Sequence, residues 1–162
     1  MTTIIKWIGI DPGASGGLVV QYNQGSIFAE SMPDTEIDIW NWIEGQSSIH
    51  PEIMVFAIIE KVQGYIGSAQ PGSAMFKFGM SYGGLRMALI AAGIPFEECP
   101  PQKWQKAMGI TPRDSKRESK GEFKNRLKAK ASALFPNQKI TLATADAFLI
   151  SEYCRRKRTG TL

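Results

Sequence analysis

Apolar residues fall in short solid blocks early in the chain and at helical spacing further on. Residues 4–10 are apolar and rich in isoleucine except at Lys6, and the run stops at Asp11, followed at once by Pro12 and Gly13. Strong β-formers bounded by turn residues predict a strand, and the lack of alternation suits a central strand covered on both faces. Residues 18–22 and 26–29 are two further apolar runs, set off by Ala14-Ser15-Gly16-Gly17 and Asn23-Gln24-Gly25. Three strands joined by short glycine-containing turns predict an antiparallel meander. Pro33 to Glu36 reads as a helix start, and Ile39, Trp40, Trp42 and Ile43 form its apolar face as far as Gly45, with both tryptophans expected in the core. Residues 53–59 are a second wholly apolar strand, which also ends in an acid, Glu60.

Gly64, Gly67, Pro71 and Gly72 predict a loop over residues 61–73. The next helix, over 73–92, is apolar on more than one face, with Gly79, Gly83 and Gly84 permitting close backbone approach. Such a helix is expected to be buried on two sides, one of which suits a symmetric partner. Residues 96–99 predict a short edge strand, and Pro101 opens a short helix over 102–108. The polar stretch 111–119 is expected to be a mobile connector. Residues 122–135 predict a basic amphipathic helix with Phe123, Leu127, Ala131 and Leu134 inward and Lys120, Lys124 and Lys128 outward. A last helix opens at Thr144, expected to cap it, and packs Ala147, Ile150 and Cys154 inward. It closes on Arg155-Arg156-Lys157-Arg158, cations where the helix dipole favours them.

At 162 residues the chain is expected to form a single domain, residues 1–162, with a sizeable core. No apolar span is long enough to cross a bilayer, and the start lacks the pattern of an export signal. Two cysteines, Cys99 and Cys154, without metal-ligand spacing point to a reducing cytoplasm. The one histidine, His50, stands beside Pro51 and reads as a loop residue rather than a base or ligand. The net charge of +4 is unevenly spread: residues 103–130 hold ten basic and three acidic side chains, +7, which leaves about −3 for the remainder. A segregated basic segment favours a polyanionic partner, because each phosphate it neutralises releases counterions.

Three acids stand out by location. Asp11 and Glu60 each end an apolar strand, and Asp146 lies in the first turn of the last helix. Carboxylates at the ends of neighbouring strands converge, and an acid on an early helix turn can face the same crevice. Such a cluster repels itself unless hard divalent cations lie between its oxygens. Two Mg²⁺ held this way activate a water and stabilise the leaving oxygen of a phosphodiester. Meander, helix, strand, helix, strand, helix matches an RNase H-like α/β fold, a mixed five-stranded sheet flanked by helices, and the acids fall where that fold places a metal site.

Three blocks carry a more specific resemblance. Gly9-Ile10-Asp11-Pro12-Gly13, Ile59-Glu60-Lys61-Val62 and Ala145-Asp146-Ala147-Phe148-Leu149-Ile150 resemble, in order and spacing, the signature blocks of the RuvC Holliday-junction resolvases. The likeness spans residues 4–156 and is greatest to the compact RuvC-like enzymes of bacteriophages, whose last helix also tends to run from an acid through Leu-Ile to basic residues. It implies a homodimer that binds four-way DNA junctions in recombination and repair, and cuts them by paired symmetric nicks with Mg²⁺ or Mn²⁺. It implies Asp11, Glu60 and Asp146 as metal ligands and Lys103 and Lys124 near the scissile phosphate. An aromatic that stacks on bases at the junction centre corresponds to Tyr65, with Gln63 a second candidate for the position. The helix over 73–92 corresponds to the dimer-forming helix. Lys116, Arg117, Lys120 and Lys128 are expected to hold DNA phosphates.

The chain departs from that pattern in one respect. The family usually has a fourth acidic or histidine ligand about one turn before the last Asp, where this chain has Leu142 and Ala143. A three-carboxylate site is expected, its second metal leaning on substrate phosphate and water. The Asp-x-Gly turn also resembles the phosphate loop of sugar kinases and actin-like ATPases, but those need two such domains, more than 162 residues hold. A nuclease of the same fold acting on RNA and a non-catalytic junction-binding protein stand as alternatives.

Overall fold

The apolar blocks are solid because both of their faces are covered. In a computed structural model, which describes residues 3–62 and 72–162, three strands form the meander: β1 (Ile4–Asp11), β2 (Gly17–Tyr22) and β3 (Ile27–Ser31). Helix α1 (Glu36–Glu44) leads to β4 (Ile53–Glu60), then α2 (Gly72–Ala91), β5 (Phe96–Cys99), α3 (Pro101–Ala107), α4 (Lys120–Leu134) and α5 (Ala145–Thr159). The five strands make one sheet in the order β3-β2-β1-β4-β5, with β1 central. β1 runs antiparallel to β2 and parallel to β4, and β5 continues the parallel half.

Side chains of a strand alternate between faces, so each block feeds two cores. Ile8, Ile10, Leu18, Val20, Ala57 and Ile59 pack with Ile43 of α1 and with Leu85 and Leu89 of α2. Trp7, Val19 and Ile58 pack on the other side with Trp104 of α3, Leu127 of α4, and Phe148 and Leu149 of α5. Every residue of α5 from Ala145 to Cys154 is buried. Gly9 lets this helix lie directly on β1: a Cβ there would come within 2.2 Å of the Ala147 carbonyl oxygen and 2.3 Å of the Ser151 amide nitrogen. Polar groups caught beneath α5 pair with one another, the Gln21 amide donating to Ser151 Oγ at 2.8 Å and that hydroxyl donating to the Phe148 carbonyl at 2.8 Å.

Three local expectations are revised. The Thr144 hydroxyl does not cap α5; it accepts from the Thr141 amide at 3.1 Å, bracing the preceding turn instead. Helix α4 starts at Lys120 because Ser119 and Glu122 form a reciprocal capping box. The stretch between α3 and α4 is irregular but braced. Arg126 donates to both carboxylate oxygens of Glu118 at 2.9 Å and to the Thr111 carbonyl and hydroxyl at 3.0 Å, and Arg113 reaches the Glu118 carbonyl at 2.9 Å. A guanidinium fork joins several acceptors at once, and composition alone does not show that. Helix α2 packs one side on the sheet through Leu85 and Leu89, and within the single chain its other side, with Phe76, Met80, Met87 and Ile90, is more than half exposed.

Candidate active site

Register brings the first two acids together. Ile10 pairs with Ile59 across parallel strands, so Asp11 and Glu60 follow side by side at the same end of the sheet, on strands about 4.8 Å apart. Asp11 shares its face with Trp7 and Gly9, the face that α5 covers. The first turn of α5 therefore overhangs it and brings Asp146 to the same end, where the helix N-terminus favours an anion. The turn after Asp11 fits closely. Gly13 has φ +103°, which a side chain resists, and a Cβ on Gly16 would fall 2.0 Å from the Asp11 carbonyl oxygen.

Asp11 and Asp146 are both buried. Burial first, then the charges of Asp146 and Glu60, hold the Asp11 carboxyl well above the usual range, with Lys124 opposing. Glu60 is pushed up to about 7, chiefly by burial and also by Asp146, while a hydrogen bond from Trp104 and the Lys124 charge pull it down. The Lys124 ammonium lies 2.5 Å from Asp146 Oδ2. Burial disfavours its charge, but Asp146, Asp11 and Glu60 together outweigh this and hold it above the usual lysine range. Lys124 therefore does not point outward as its helix position predicts, because the cation is drawn to the buried anions across the interface.

The other site residues predicted from sequence are spread wider. Lys103 is exposed on α3, and Lys116, Lys120 and Lys128 form no ion pair among the described residues. Arg117 lies 3.6 Å from Asp114 and stays 88 % exposed. Tyr65 and Gln63 fall outside the described residues. Leu142 is half exposed, and neither it nor Ala143 offers a side-chain donor.

Sequence reasoning missed Trp104. Its indole N–H donates to Glu60 Oε2 at 2.9 Å from a fully buried ring. Its only sequence signal was an aromatic beside Lys103 in a helix opened by Pro101, which reads equally as core.

Hard oxygen donors suit a divalent cation, and Asp146 Oδ1 is buried without a hydrogen-bond partner, as an oxygen awaiting a cation would be. Among the described residues, no three acid, histidine or cysteine side chains lie close enough to hold one ion between them. The donor set thus fits Mg²⁺ or Mn²⁺ with fewer than three of these side chains per ion, other oxygens completing each shell. With Lys124 beside it, such a site can bind a phosphate and stabilise charge developing on it.

A central strand antiparallel to one neighbour and parallel to the other, an acid at the end of β1 and of β4, and a closing helix laid across them are the features of an RNase H-like fold. Among solved structures, RuvC of Thermus thermophilus matches this chain with a TM-score of 0.56 and 17% identity, covering 98% of this chain and 97% of the other. The same protein in complex with Holliday junction substrate matches with a TM-score of 0.57 and 15% identity over the same shares. The chain thus has a RuvC-like fold from end to end. No protein-family model and no curated protein matches it by sequence.

Proposed function

We propose that this chain is a divalent-cation-dependent endonuclease that resolves branched DNA, four-way junctions above all, by paired symmetric nicks. The observation that carries the reading is the meeting of Asp11, Glu60, Asp146 and Lys124 at one end of the central strands, in a fold matched over its whole length by RuvC, one of whose structures holds a Holliday junction substrate. The crowded, buried carboxylates support it physically, since their repulsion is relieved by bound positive charge.

In this reading Asp11, Glu60 and Asp146 hold Mg²⁺, or Mn²⁺ in its place. The cation supplies neutralisation of the phosphate and activation of the attacking water. Asp11, whose carboxyl feels the charges of both Asp146 and Glu60, helps hold such a cation at the end of the central strands. Lys124 stabilises the negative charge that grows on the phosphoryl oxygens, with Lys103 assisting from α3. Lys116, Arg117, Lys120 and Lys128 hold flanking phosphates, and Tyr65 stacks on bases at the junction centre. The arginines that brace the stretch before α4 keep part of that basic surface in a fixed shape.

Paired nicks need two sites, and a two-fold dimer supplies them. The open face of α2 suits that role. Met80 and Met87 border an apolar groove of roughly 790 Å³ between α1, α2 and the turn after β1, with Trp40 and Phe78 also in its wall. No described helix is long and apolar enough to cross a membrane, in keeping with action on DNA in the cytoplasm of a bacterium or of a phage-infected host.

One observation favours a second reading, a junction-binding protein without catalysis: no three acids share one ion and the position of Ala143 holds no ligand. Asp11→Asn separates the two. A nuclease variant binds four-way junctions as the wild type does and loses at least about 10³-fold in cutting rate; a binding protein shows no cutting to lose. Nicking by a Lys103→Ala, Lys124→Ala double variant at the wild-type rate would remove the lysines from the mechanism.

A further inference from the structure

Glu60 is fixed more tightly than a cation ligand needs for charge alone. Its backbone lies in the ladder between β1 and β5, paired with Cys99, and the next amide, Lys61, donates to the Cys99 carbonyl at 2.8 Å. Its side chain is held at one atom, Oε2, by the Trp104 indole. Trp104 in turn has no freedom of its own. It is fully buried in the core beneath α5 and sits in a helix whose first residue is Pro101, stopped after about two turns by the Met108 cap. One oxygen of the carboxylate is committed to an N–H, and the other, Oε1, carries no hydrogen bond from a described residue.

A carboxylate offers a cation one oxygen or two. Ca²⁺ takes six to eight oxygens at longer range and readily accepts both from one carboxylate, whereas Mg²⁺ demands a compact octahedron and takes one. A rigid donor that occupies one oxygen thus selects between them. Resting on the reading of Glu60 as a metal ligand, we propose that Trp104 is a positioning residue that holds Glu60 as a one-oxygen ligand and so biases the site toward Mg²⁺ and Mn²⁺ and against Ca²⁺. Groups that orient metal ligands commonly set affinity by tenfold or more. A buried indole that needed only a partner for its N–H would contribute to stability and leave the preference between ions unchanged.

The test is calorimetric titration of the full-length protein with Mn²⁺ and with Ca²⁺, without DNA, for wild type, Trp104→Phe, Glu60→Gln and the double variant. Trp104→Phe is expected to weaken Mn²⁺ binding about tenfold while Ca²⁺ binding changes less than about twofold, and to have no effect on either ion once Glu60 is Gln. A benzothienyl alanine placed at position 104 keeps the ring and lacks the N–H, so it covers the case in which Trp104→Phe disturbs the core; it is expected to behave alike. Equal loss for both ions, no loss for either, or the same loss in the Glu60→Gln background would overturn the inference. If Glu60→Gln alone leaves Mn²⁺ binding at the wild-type level, Glu60 is not a ligand, and the inference falls together with that part of the functional reading.

Discussion

Gly9 sets how close the last helix lies to the central strand, and through it how close Asp146 lies to Asp11. A methyl group there meets the Ala147 carbonyl oxygen and the Ser151 amide, both backbone atoms that cannot swing aside. Gly9→Ala is therefore expected to lower stability by about 3 kcal/mol, as overpacking of a rigid contact does, and to weaken Mn²⁺ binding by lifting α5 from β1. Thermal unfolding and metal titration of the same variant check both effects; a loss of stability with unchanged metal binding would separate the packing from the site. At this scale the acids were legible because each ends an element: Asp11 and Glu60 terminate apolar strands, and Asp146 opens a helix. Lys124 was legible only through the family resemblance and not from its helical position, and Trp104 was not legible at all. Helical periodicity sorts residues by polarity and places a lysine outward, and it has no way to register that a buried anion waits across the interface. An N–H paired with a carboxylate leaves no periodic trace either.

Charge pairs add to the apolar contacts that hold the elements in place. Glu152, 7 % exposed at its side chain, accepts from Arg155 and Arg156 at 2.7–2.8 Å. Burial works against its negative charge, the two guanidiniums more than offset this, and the carboxyl lies below its ordinary range. A depressed folded-state pKa means stabilisation that is fully present above about pH 4.3, the ordinary glutamate value, and is lost as pH falls through the depressed one. Glu152→Gln is accordingly expected to cost about 1–2 kcal/mol at pH 7, less than a fully buried pair because both arginines reach solvent. The gap to wild type should be smaller at pH 3 than at pH 7. Denaturant unfolding at both pH values measures it, and a gap independent of pH would show that the pair contributes no charge-dependent stability. The basic run at the end of α5 looked in sequence like a simple complement to the helix dipole. Three of its four cations are instead tied to acids, Lys157 to Glu97 and the two arginines to Glu152. Strand and helix order was legible because the apolar blocks are long and bounded by glycine and proline. The braced stretch before α4 was not, because its order comes from arginine forks between residues eight and fifteen apart.

For the molecule as a whole, charge and apolar surface separate. Lysines with no ion pair among the described residues gather on and around α3 and α4, while the open apolar face lies along α2 on the opposite side of the sheet. This division suits a protein that meets DNA with one surface and its own copy with another. Met80→Glu with Met87→Glu is expected to convert a dimer into a monomer in sedimentation at micromolar concentration without unfolding it, because both side chains are already more than half exposed. A wild type that sediments as a monomer would contradict the dimer. That α2 is apolar on several faces was plain from the sequence. What covers its outer face was not, because periodicity measures how much surface must be hidden and not what hides it.

The most direct measurement is cleavage of an end-labelled four-way junction, a linear duplex and an RNA–DNA hybrid, each with Mg²⁺, with Mn²⁺ and with chelator. The account predicts nicks at symmetric positions in opposite strands of the junction with either cation, none with chelator, and little or no cutting of the duplex or the hybrid. Tight binding of the junction without a nick under either cation would contradict it and identify a junction-binding protein. Preferential cutting of the hybrid would contradict it in favour of an RNA-directed nuclease.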